Sequence, residues 1–564
     1  MAWTRAVLYS ALSSSLWHPS NAEYIWPNAK IDDLERILYE VGGPFTSGPG
    51  GDFAENVSGC SGRGAPTGRN FGAEWLRTAY HDMATADVAA GTGGLDASIL
   101  FELDRAENVG DAFSETFLTF KGAYTTRTSV ADLLAVASVM AVGACSNGQV
   151  IVPFRAGRVD AAGPGPSGVP EPQQDLATHA AIFAKQGFDV SEMISLVACG
   201  HTIGGVHGVD FPTIVPNPPN TGTDNMVTFD TTNNNFDNAV AKEFVANVDQ
   251  NPLAFGQNET TRSDFRIFNA DGGKVISQMA NSEDFFLQTC STLLERMINT
   301  VPRSVELTDV IQPITIKPMQ LTIEPNTTDG TLTVSGFVRL INTTVDVSQS
   351  QVLIHPKSRS GKLLPAATGN TESDFVAACD VYPNCGPGFV FYQFNTTISA
   401  KDGISSFTVE VKNDAAGKTT QYTNGGSGFP FSDAIQLVNS LSSTGNNDDG
   451  SLTLLNITAL VLNAEDFFDV SLVTYGPLDL TAPISPWIPT KTPMQPLKKI
   501  PGTNFTLYTG NWTGNNFAGN HPFDLVATGD KCTVSSLFNS LNSGGPGGGP
   551  GGGKGKGSGK KSRR

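Results

Sequence analysis

Residues 77–82 read RTAYHD, and a glycine-rich segment, GTGGLDASI, follows at residues 91–99. Side chains four residues apart share one face of a helix, so Arg77 and His81 are expected to point the same way. Asp82 is rotated by about 100° from His81 around the helix axis and leaves that face. A neighbouring positive charge disfavours imidazolium, so the pair predicts a histidine that stays neutral and accepts a proton.

The composition predicts a globular protein with an acidic surface. A chain of 564 residues is long enough for about two to four domains. Hydrophobic residues make up 39% of the chain, which is enough to form buried cores. The formal net charge is −18, which argues against nucleic-acid binding because neutralising phosphates requires a basic face.

The N-terminal segment and the glycosylation motifs predict a secreted, extracellular protein. Residues 1–22 combine Arg5, the apolar run AVLYSALSSSLW and a small-x-small ending at Ala22, as in a signal peptide. No apolar run is long enough for a membrane span, and residues 131–144 are predicted to form a buried helix. Candidate N-glycosylation sites are Asn56, Asn258, Asn326, Asn342, Asn395, Asn456, Asn504 and Asn511.

Seven cysteines are expected to form disulfides in a secreted chain, and their odd number leaves at least one thiol without a partner in the chain. Cys379 and Cys385 flank a Pro-Asn turn and are predicted to close a small loop. None of the cysteines has the paired C-x-x-C spacing of a zinc site.

The character of the sequence changes near residue 304. Residues 23–303 contain amphipathic or buried helical patterns joined by Gly-, Pro- and Asn-rich loops. Residues 304–540 alternate apolar and polar side chains between turn signals. The predicted fold class is therefore a mainly α domain followed by an all-β, sandwich-like region, whereas residues 541–564 are Gly/Lys-rich and predicted to be disordered.

A second histidine has small neighbours. His201 lies in SLVACGHTIGGVHGVDFP, near the end of an apolar helix that is predicted to begin near Val190. Gly200, Gly204 and Gly205 would let a flat cofactor approach the backbone closely.

Together these segments resemble the secreted fungal haem peroxidases of the plant, fungal and bacterial peroxidase superfamily. The resemblance runs collinearly from Cys60 to Ile298 and rests on several independent motifs. It implies haem b as cofactor, hydrogen peroxide as oxidant, and small, phenolic aromatic molecules as one-electron donors. It also implies a disulfide between Cys60 and Cys145, while the partners of Cys199, Cys290 and Cys532 stay open.

The resemblance assigns roles to residues on both sides of the haem. On the distal side, Arg77 is the arginine, His81 the acid–base group, and Asn108 in FELDRAENVG accepts a hydrogen bond from His81, supported by Glu107. Tyr80 stands where the family usually has Phe or Trp.

On the proximal side, His201 is the axial iron ligand, and Asp264 in TRSDFRIF accepts its Nδ1–H bond. Phe229 occupies the position at which intracellular members carry tryptophan. His207 is either a partner of a haem propionate or a surface histidine.

Two Ca²⁺ sites are also implied, one beside each histidine. Such hard cations are held by clustered carboxylate, hydroxyl and carbonyl oxygens. The distal set contains Asp82, the Gly94 carbonyl, Asp96 and Ser98, and the proximal set contains Thr202, Asp230, Thr232, the Asn235 carbonyl and Asp237. The alternative is that both segments are solvated turns.

The donor substrate is less sharply indicated. The family's manganese oxidisers use about three carboxylates at positions that Glu74, Asn70 and His207 hold here, which argues against manganese oxidation. Leu196 matches the exposed tryptophan of lignin-oxidising members. A phenol-oxidising peroxidase is therefore favoured, with manganese or lignin oxidation as the alternative.

Two interpretations from other classes remain. The chain could be a wall-attached interaction protein whose haem domain is vestigial, although the retention of all the motif residues weighs against this. The β region could instead bind cell-wall polysaccharide, but its aromatic residues are scattered and form no evident stacking row, with Phe391, Tyr392, Trp487 and Trp512 as examples.

Overall fold

The computed structural model describes most of the chain. The described residues are 24–40, 53–54, 56–61, 68–216, 225–341, 350–371, 388–413, 417–447, 452–477, 482–515 and 522–541. The predicted signal peptide, the Cys379–Cys385 pair and the Gly/Lys-rich tail from residue 542 lie outside them.

The described part of the chain has eleven α-helices, all of them before residue 299. They are α1 (Asp32–Tyr39), α2 (Phe71–Met83), α3 (Ala112–Phe120), α4 (Val130–Cys145), α5 (Leu176–Lys185), α6 (Val190–Gly200), α7 (Ala239–Val245), α8 (Pro252–Phe255), α9 (Ser263–Phe268), α10 (Lys274–Asn281) and α11 (Glu283–Ile298). A hairpin of β1 (Gly205–His207) and β2 (Met226–Thr228) interrupts the series after α6.

Side-chain caps fix where the main helices begin. Asn70 accepts a hydrogen bond from the Ala73 amide at the start of α2, and Ser129 does the same for Asp132 at the start of α4. Asp189 and Glu192 form a reciprocal capping box at the start of α6. The apolar helix α4 is buried along almost its whole length, as its sequence predicted, and α2 packs against it.

Two disulfides close the helical domain. Cys60 is joined to Cys145 at the end of α4, and Cys199 at the end of α6 is joined to Cys290 of α11. Cys532 in the β region is unpaired and exposed.

The predicted change from helix to strand is confirmed: from residue 316 onward the described chain forms antiparallel sheets. The first group of strands is β3 (Ile316–Pro325), β4 (Thr331–Ile341), β5 (Ser350–Lys357), β6 (Ala367–Thr371), β7 (Phe389–Ser399), β8 (Ser406–Asn413), β9 (Lys418–Tyr422) and β10 (Phe429–Pro430). Their order is β10-β8-β5-β6-β7-β4-β3, with β9 added on β8, so that β6 links the two halves.

The second group forms two further sheets. Its strands are β11 (Ile435–Leu437), β12 (Ser443–Asn446), β13 (Leu452–Leu462), β14 (Asp469–Pro477), β15 (Trp487–Pro493), β16 (Gln495–Lys499), β17 (Phe505–Asn515), β18 (Phe523–Thr528) and β19 (Thr533–Asn539). One sheet runs β11-β13-β17-β16, with β12 on β13, and the other runs β15-β14-β18-β19.

Strand β13 serves two hydrophobic cores at once. Leu460 packs into the core of the first strand group, whereas Ala459 and Val461 pack into that of the second. Successive side chains of a strand point to opposite faces, so its sheet separates the two cores. The C-terminal region is therefore built as two packed β units.

A buried ion cluster joins helix α1 to the first β unit. Oε1 of Glu35 lies 2.5 Å from Nη2 of Arg339, and its Oε2 lies 2.8 Å from Nζ of Lys317. Arg339 also bonds Glu40 at 2.9 Å. Burial alone would raise the pKa of Glu35, but the charges of Arg339 and Lys317 outweigh it and lower the pKa to about 2.

The second β unit also touches the helical domain. The ring of Trp487 stacks on Tyr124 with centroids 5.6 Å apart. The guanidinium of Arg127 lies 4.1 Å from the ring centroid of Phe538. Both β units are therefore in direct contact with the helices.

Candidate active site

Helix α2 carries His81 on a face that an amide orients. Nδ1 of His81 lies 2.8 Å from Oδ1 of Asn108, whose own Nδ2 donates to the carbonyl of Glu102 at 2.9 Å. Because that amide oxygen only accepts, Nδ1 of His81 must carry the proton and Nε2 must be the acceptor. The structure thus brings together two residues that the motifs paired.

The surroundings keep the His81 ring neutral. Burial, followed by the charge of Arg77, lowers the pKa of His81 to about 3, although the bond to Asn108 opposes this. The ring of Phe113 lies 4.9 Å from it, centroid to centroid. Burial and the charge of Arg77 thus disfavour the imidazolium form of His81, as the spacing of the two residues predicts.

Arg77 is held at the turn that follows Asn108. Its Nη2 donates to the carbonyl of Val109 at 2.9 Å, and its guanidinium carbon lies 4.5 Å from the ring centroid of Phe113. Burial lowers the pKa of Arg77 to about 10, so it keeps its charge at neutral pH.

Tyr80 is placed by packing between α2 and α5. Its ring stacks on Phe183 with centroids 6.0 Å apart, and its hydroxyl donates to Oε1 of Gln186 at 3.4 Å. The Tyr80 side chain therefore has a structural role. A phenylalanine there could keep the ring packing but would lose the hydrogen bond.

His201 directly follows the last residue of helix α6, and a carboxylate orients its ring. Its Nδ1 lies 2.8 Å from Oδ2 of Asp264 on α9, and that oxygen also accepts from Nδ2 of Asn251 at 2.8 Å. Asp264 is completely buried, and the ring of Phe229 stacks on His201 at 4.3 Å. The Nδ1–H bond again leaves Nε2 of the ring for another partner.

His207 ends strand β1, where it is half-buried and pairs in register with Met226 of β2. Neither interpretation made from the sequence, a haem partner or a surface residue, is tested by this position.

The arrangement of the two histidines fits a bound haem. In the described part of the chain, Nε2 of neither His81 nor His201 has a hydrogen-bond partner, and the His201 side chain is 30% exposed although its neighbours Cys199 and Thr202 are buried. An imidazole whose Nδ1–H is held by a carboxylate is the usual arrangement for a metal-ligating histidine.

The distal acidic group is centred on Asp82. Its carboxylate is fully buried and accepts hydrogen bonds at 2.8, 2.7 and 3.0 Å from the amides of Asp96, Ala97 and Ile99. Burial and the neighbouring Asp96 raise the pKa of Asp82 well above its ordinary value. No salt bridge to either carboxylate occurs among the described residues.

The remaining distal candidates lie around the same turn. Ser98 is buried, and its amide donates to Oδ1 of Asp96 at 3.1 Å. Gly94 has a φ of 109°, and a Cβ there would lie 2.4 Å from the carbonyl oxygen of Thr300, so only glycine fits.

The proximal acidic group adjoins His201 through Thr202. Thr232 connects Asp230 and Asp237: its amide bonds Oδ1 of Asp230 at 2.9 Å, and its hydroxyl bonds Oδ1 of Asp237 at 3.1 Å. The hydroxyl of Thr202 accepts from the Asp237 amide at 3.3 Å, and the Asn235 amide bonds the Thr232 carbonyl at 2.6 Å.

One oxygen of this group lacks a partner. Oδ2 of Asp230 is buried and has no hydrogen bond from any described residue. Burial, together with the charges of Asp237 and Glu243, raises the pKa of Asp230 to about 7. A buried oxygen of this kind fits a hard cation, although no three acidic, His or Cys side chains are grouped for a metal among the described residues.

The positions relevant to manganese have other roles. Both oxygens of Glu74 are held by Arg69, at 2.5 and 2.9 Å. Asn70 caps α2 and donates to Oδ1 of Asn234 at 3.0 Å. Leu196, at the position of the exposed tryptophan of lignin oxidisers, is buried.

The support predicted for Asn108 comes from another residue. Glu107 contacts the Gly168 amide and Arg105 instead, and the carbonyl of Glu102 holds the Asn108 amide. Among the described residues Glu107 makes no hydrogen bond to Asn108, so the predicted support by Glu107 is not found.

Comparisons with known proteins agree with this geometry. A family model described as Peroxidase matches residues 63–282. A WSC domain-containing protein of Arthroderma benhamiae is 33% identical over 541 residues, which cover 94% of this chain and 68% of the relative. In the described residues, no helix is both long and apolar enough to cross a bilayer.

Two plant proteins match the helical domain alone. A putative L-ascorbate peroxidase 6 of Arabidopsis thaliana is 34% identical over 146 residues, or 25% of this chain and 43% of the relative. A probable peroxisomal L-ascorbate peroxidase 4 of Oryza sativa is 31% identical over 135 residues, or 23% of this chain and 45% of the relative. The chain thus spans less than half the length of these two relatives.

Proposed function

We propose that this chain, which belongs to the same family as the WSC domain-containing protein of Arthroderma benhamiae, is a secreted haem peroxidase. It carries a peroxidase domain at residues 63–282, and it would use hydrogen peroxide to oxidise small phenolic donors. The observation that carries the proposal is the pair of oriented histidines. Nδ1 of His81 is fixed by an amide and Nδ1 of His201 by a carboxylate, each at 2.8 Å.

His201 would hold the haem iron through Nε2. A haem held there would supply the redox chemistry of the reaction, between peroxide as oxidant and one-electron donors as reductants. Asp264 gives the His201 ring anionic character through the Nδ1–H bond, and Asn251 keeps that carboxylate in place.

His81 moves the proton. Its Nε2 would accept a proton from one oxygen of hydrogen peroxide and return it to the other, so that both protons end on the same oxygen. The bond to Asn108 keeps Nε2 unprotonated before the reaction begins. Arg77 supplies positive charge where negative charge develops as the O–O bond breaks.

Two calcium ions are part of the proposal. The proximal ion would be held by Thr202, Asp230, Thr232, Asp237 and the Asn235 carbonyl, and the buried Oδ2 of Asp230 supports it. At the distal site, the buried carboxylates of Asp82 and Asp96 form no salt bridge with any described residue, which supports a second ion.

Phenols are favoured as donors over manganese. The Glu74 carboxylate is engaged by Arg69, which leaves it a poor ligand for an added cation. Secretion is supported by the two disulfides, which persist in oxidising compartments.

Polysaccharide binding by the β region has less support, because three of the aromatic residues considered for it have other contacts. Phe391 and Tyr392 are buried, and Trp487 stacks on Tyr124.

The test combines haem binding with peroxide kinetics. The purified full chain is expected to show a haem Soret band and to oxidise phenol with hydrogen peroxide. His81→Ala should keep the Soret band and slow the stopped-flow reaction with peroxide by about 10²- to 10⁴-fold. His355→Ala, on strand β5 far along the chain, is the matched control and should react like the wild type.

An unchanged rate in His81→Ala would contradict the assignment of the acid–base residue. A wild-type protein that binds no haem or does not react with peroxide would contradict the proposed function and favour an interaction protein with a vestigial haem domain.

A further inference from the structure

A strap of residues 164–174 is bonded to both the distal and the proximal side of the candidate site. It lies between α4 and α5, where the described residues 161–175 form neither helix nor strand. Its backbone φ angles are restricted by four prolines, Pro164, Pro166, Pro170 and Pro172. A chain restricted in this way can hold its two ends at a fixed separation.

The distal end of the strap is held at Gly165. Its amide donates to Oε1 of Glu102, and its carbonyl accepts from Nη2 of Arg105, each at 2.6 Å. Glu102 is buried, and its own carbonyl holds the side-chain amide of Asn108, which orients His81. The strap is therefore anchored on the turn that orients the distal histidine.

The proximal end of the strap is held by Arg266 of helix α9. Its Nη2 donates to the carbonyls of Pro172 and Gln174, at 2.5 and 2.9 Å. The buried ring of His179 adds a third bond, since its Nε2 donates to the carbonyl of Glu171 at 2.9 Å. Two side chains from other helices thus hold three carbonyls of one turn.

Arg266 also fixes the start of its own helix. Helix α9 is six residues long, and no side chain caps its first turn. A helix of this length has only about two internal hydrogen bonds and is not stable alone. Arg266 donates to the carbonyls of Glu259 and Thr260, at 3.3 and 3.2 Å, in the turn before the helix. The guanidinium therefore ties α9 to that turn and to the strap at once.

The position of α9 decides the bond to the proximal histidine. Asp264 is the second residue of α9, and its Oδ2 lies 2.8 Å from Nδ1 of His201. A displacement of the helix by about 0.5 Å would take these two atoms past the usual limit of an N–H···O bond. The ties that hold the helix therefore protect this bond.

We propose that Arg266 is a positioning residue for the proximal histidine: it ties α9 to the strap and so keeps Asp264 within hydrogen-bond distance of His201. This inference deepens the proposed function and rests on it, because His201 is the residue proposed to hold the haem iron. Among the described residues no hydrogen bond joins Arg266 to His201 or to Asp264, so Arg266 acts through the position of the helix.

The first experiment measures the reduction potential of the haem iron in the full chain. Arg266→Met should raise the potential in the same direction as Asp264→Asn but by a smaller amount, because a weaker Nδ1–H bond leaves His201 less electron-rich. In the Asp264→Asn background, Arg266→Met should have no further effect. Arg155→Met is the matched control: it removes another guanidinium–carbonyl bond, to Thr308 at 3.1 Å, and should keep the wild-type potential.

A second measurement needs neither haem nor turnover. Hydrogen exchange of the full chain, followed by mass spectrometry, should be about tenfold or more faster in residues 263–268 of Arg266→Met, because the helix loses bonds to a charged donor. Arg266→Lys keeps the charge and part of the donor set, and should fall between the wild type and Arg266→Met in both measurements. Arg155→Met should exchange like the wild type in these residues.

An unchanged potential in Arg266→Met would overturn the inference even if exchange becomes faster, because Arg266 would then only stabilise the helix. A shift that is equally large in the Asp264→Asn background would overturn it as well. If Arg266→Met does not fold, Arg266→Lys provides the same test. A wild type that binds no haem contradicts the proposed function instead, and hydrogen exchange still tests whether Arg266 holds α9.

Discussion

The distal and proximal histidines share one plan and differ in one acceptor. Each is on or directly after a helix and has its Nδ1 fixed at 2.8 Å, His81 by the Asn108 amide and His201 by the Asp264 carboxylate. An amide orients the ring and leaves it neutral, whereas a carboxylate also makes it more electron-rich. The choice of acceptor alone therefore suits one ring to the role proposed for His81, a base, and the other to the role proposed for His201, a metal ligand.

Of the two acceptors, the proximal one is expected to have the larger effect when it loses its charge. Asp264→Asn keeps the shape of the side chain but removes the anionic character of His201, and should lower haem affinity or peroxidase activity by about 10- to 100-fold. The reduction potential of the iron should rise at the same time, because an electron-rich ligand stabilises the oxidised metal. Spectroelectrochemistry measures this shift, and an unchanged potential would show that Asp264 is only a packing residue.

Removal of the distal acceptor should have a smaller effect. Asn108→Ala takes away one hydrogen bond that fixes the His81 ring, and should slow the reaction with peroxide by about tenfold. Haem affinity and reduction potential should stay at wild-type values, in contrast to the proximal variant. Stopped-flow absorbance measures the rate, and a potential that shifts as in Asp264→Asn would remove the distinction between the two acceptors.

The smallest effect concerns the acidic groups beside the two histidines. If the proximal group holds calcium, a chelator should lower the melting temperature of the wild type by about 2–4 °C or more. Asp230→Asn should lower the melting temperature without chelator and should respond less when chelator is added. The control is Asp402→Asn, in an exposed turn of the β region, which should behave like the wild type. Equal chelator responses in all three proteins would exclude Asp230 as a ligand.

Much of the site was predictable because its residues stand in local motifs. Arg77 and His81 share a helix turn, and the structure keeps them on one face. Contacts between distant segments could be predicted from the resemblance to a family, but not from the spacing of residues within a motif. Asn251, which bonds Asp264, has no motif of its own, and Glu102 acts through a backbone carbonyl that no side-chain pattern reveals.

The β region shows a different limit. Alternation predicted its strands, but LTLLNITALVL (452–462) is apolar on both faces, and only the structure shows that β13 lies between two cores. The Cys199–Cys290 pairing joins residues 91 positions apart. It follows from the packing of α6 against α11, which the sequence does not encode locally.

The ion cluster around Glu35 has a consequence for the time course of biosynthesis. Helix α1 is made before its partners, because Lys317 and Arg339 follow Glu35 by 282 and 304 residues. At ribosomal rates, Glu35 waits for roughly 15 to 60 s before its cations exist. A carboxylate without them is costly to bury. The charge of Glu35 is therefore compensated only after β3 and β4 have been made, so the first β unit completes the packing of helix α1.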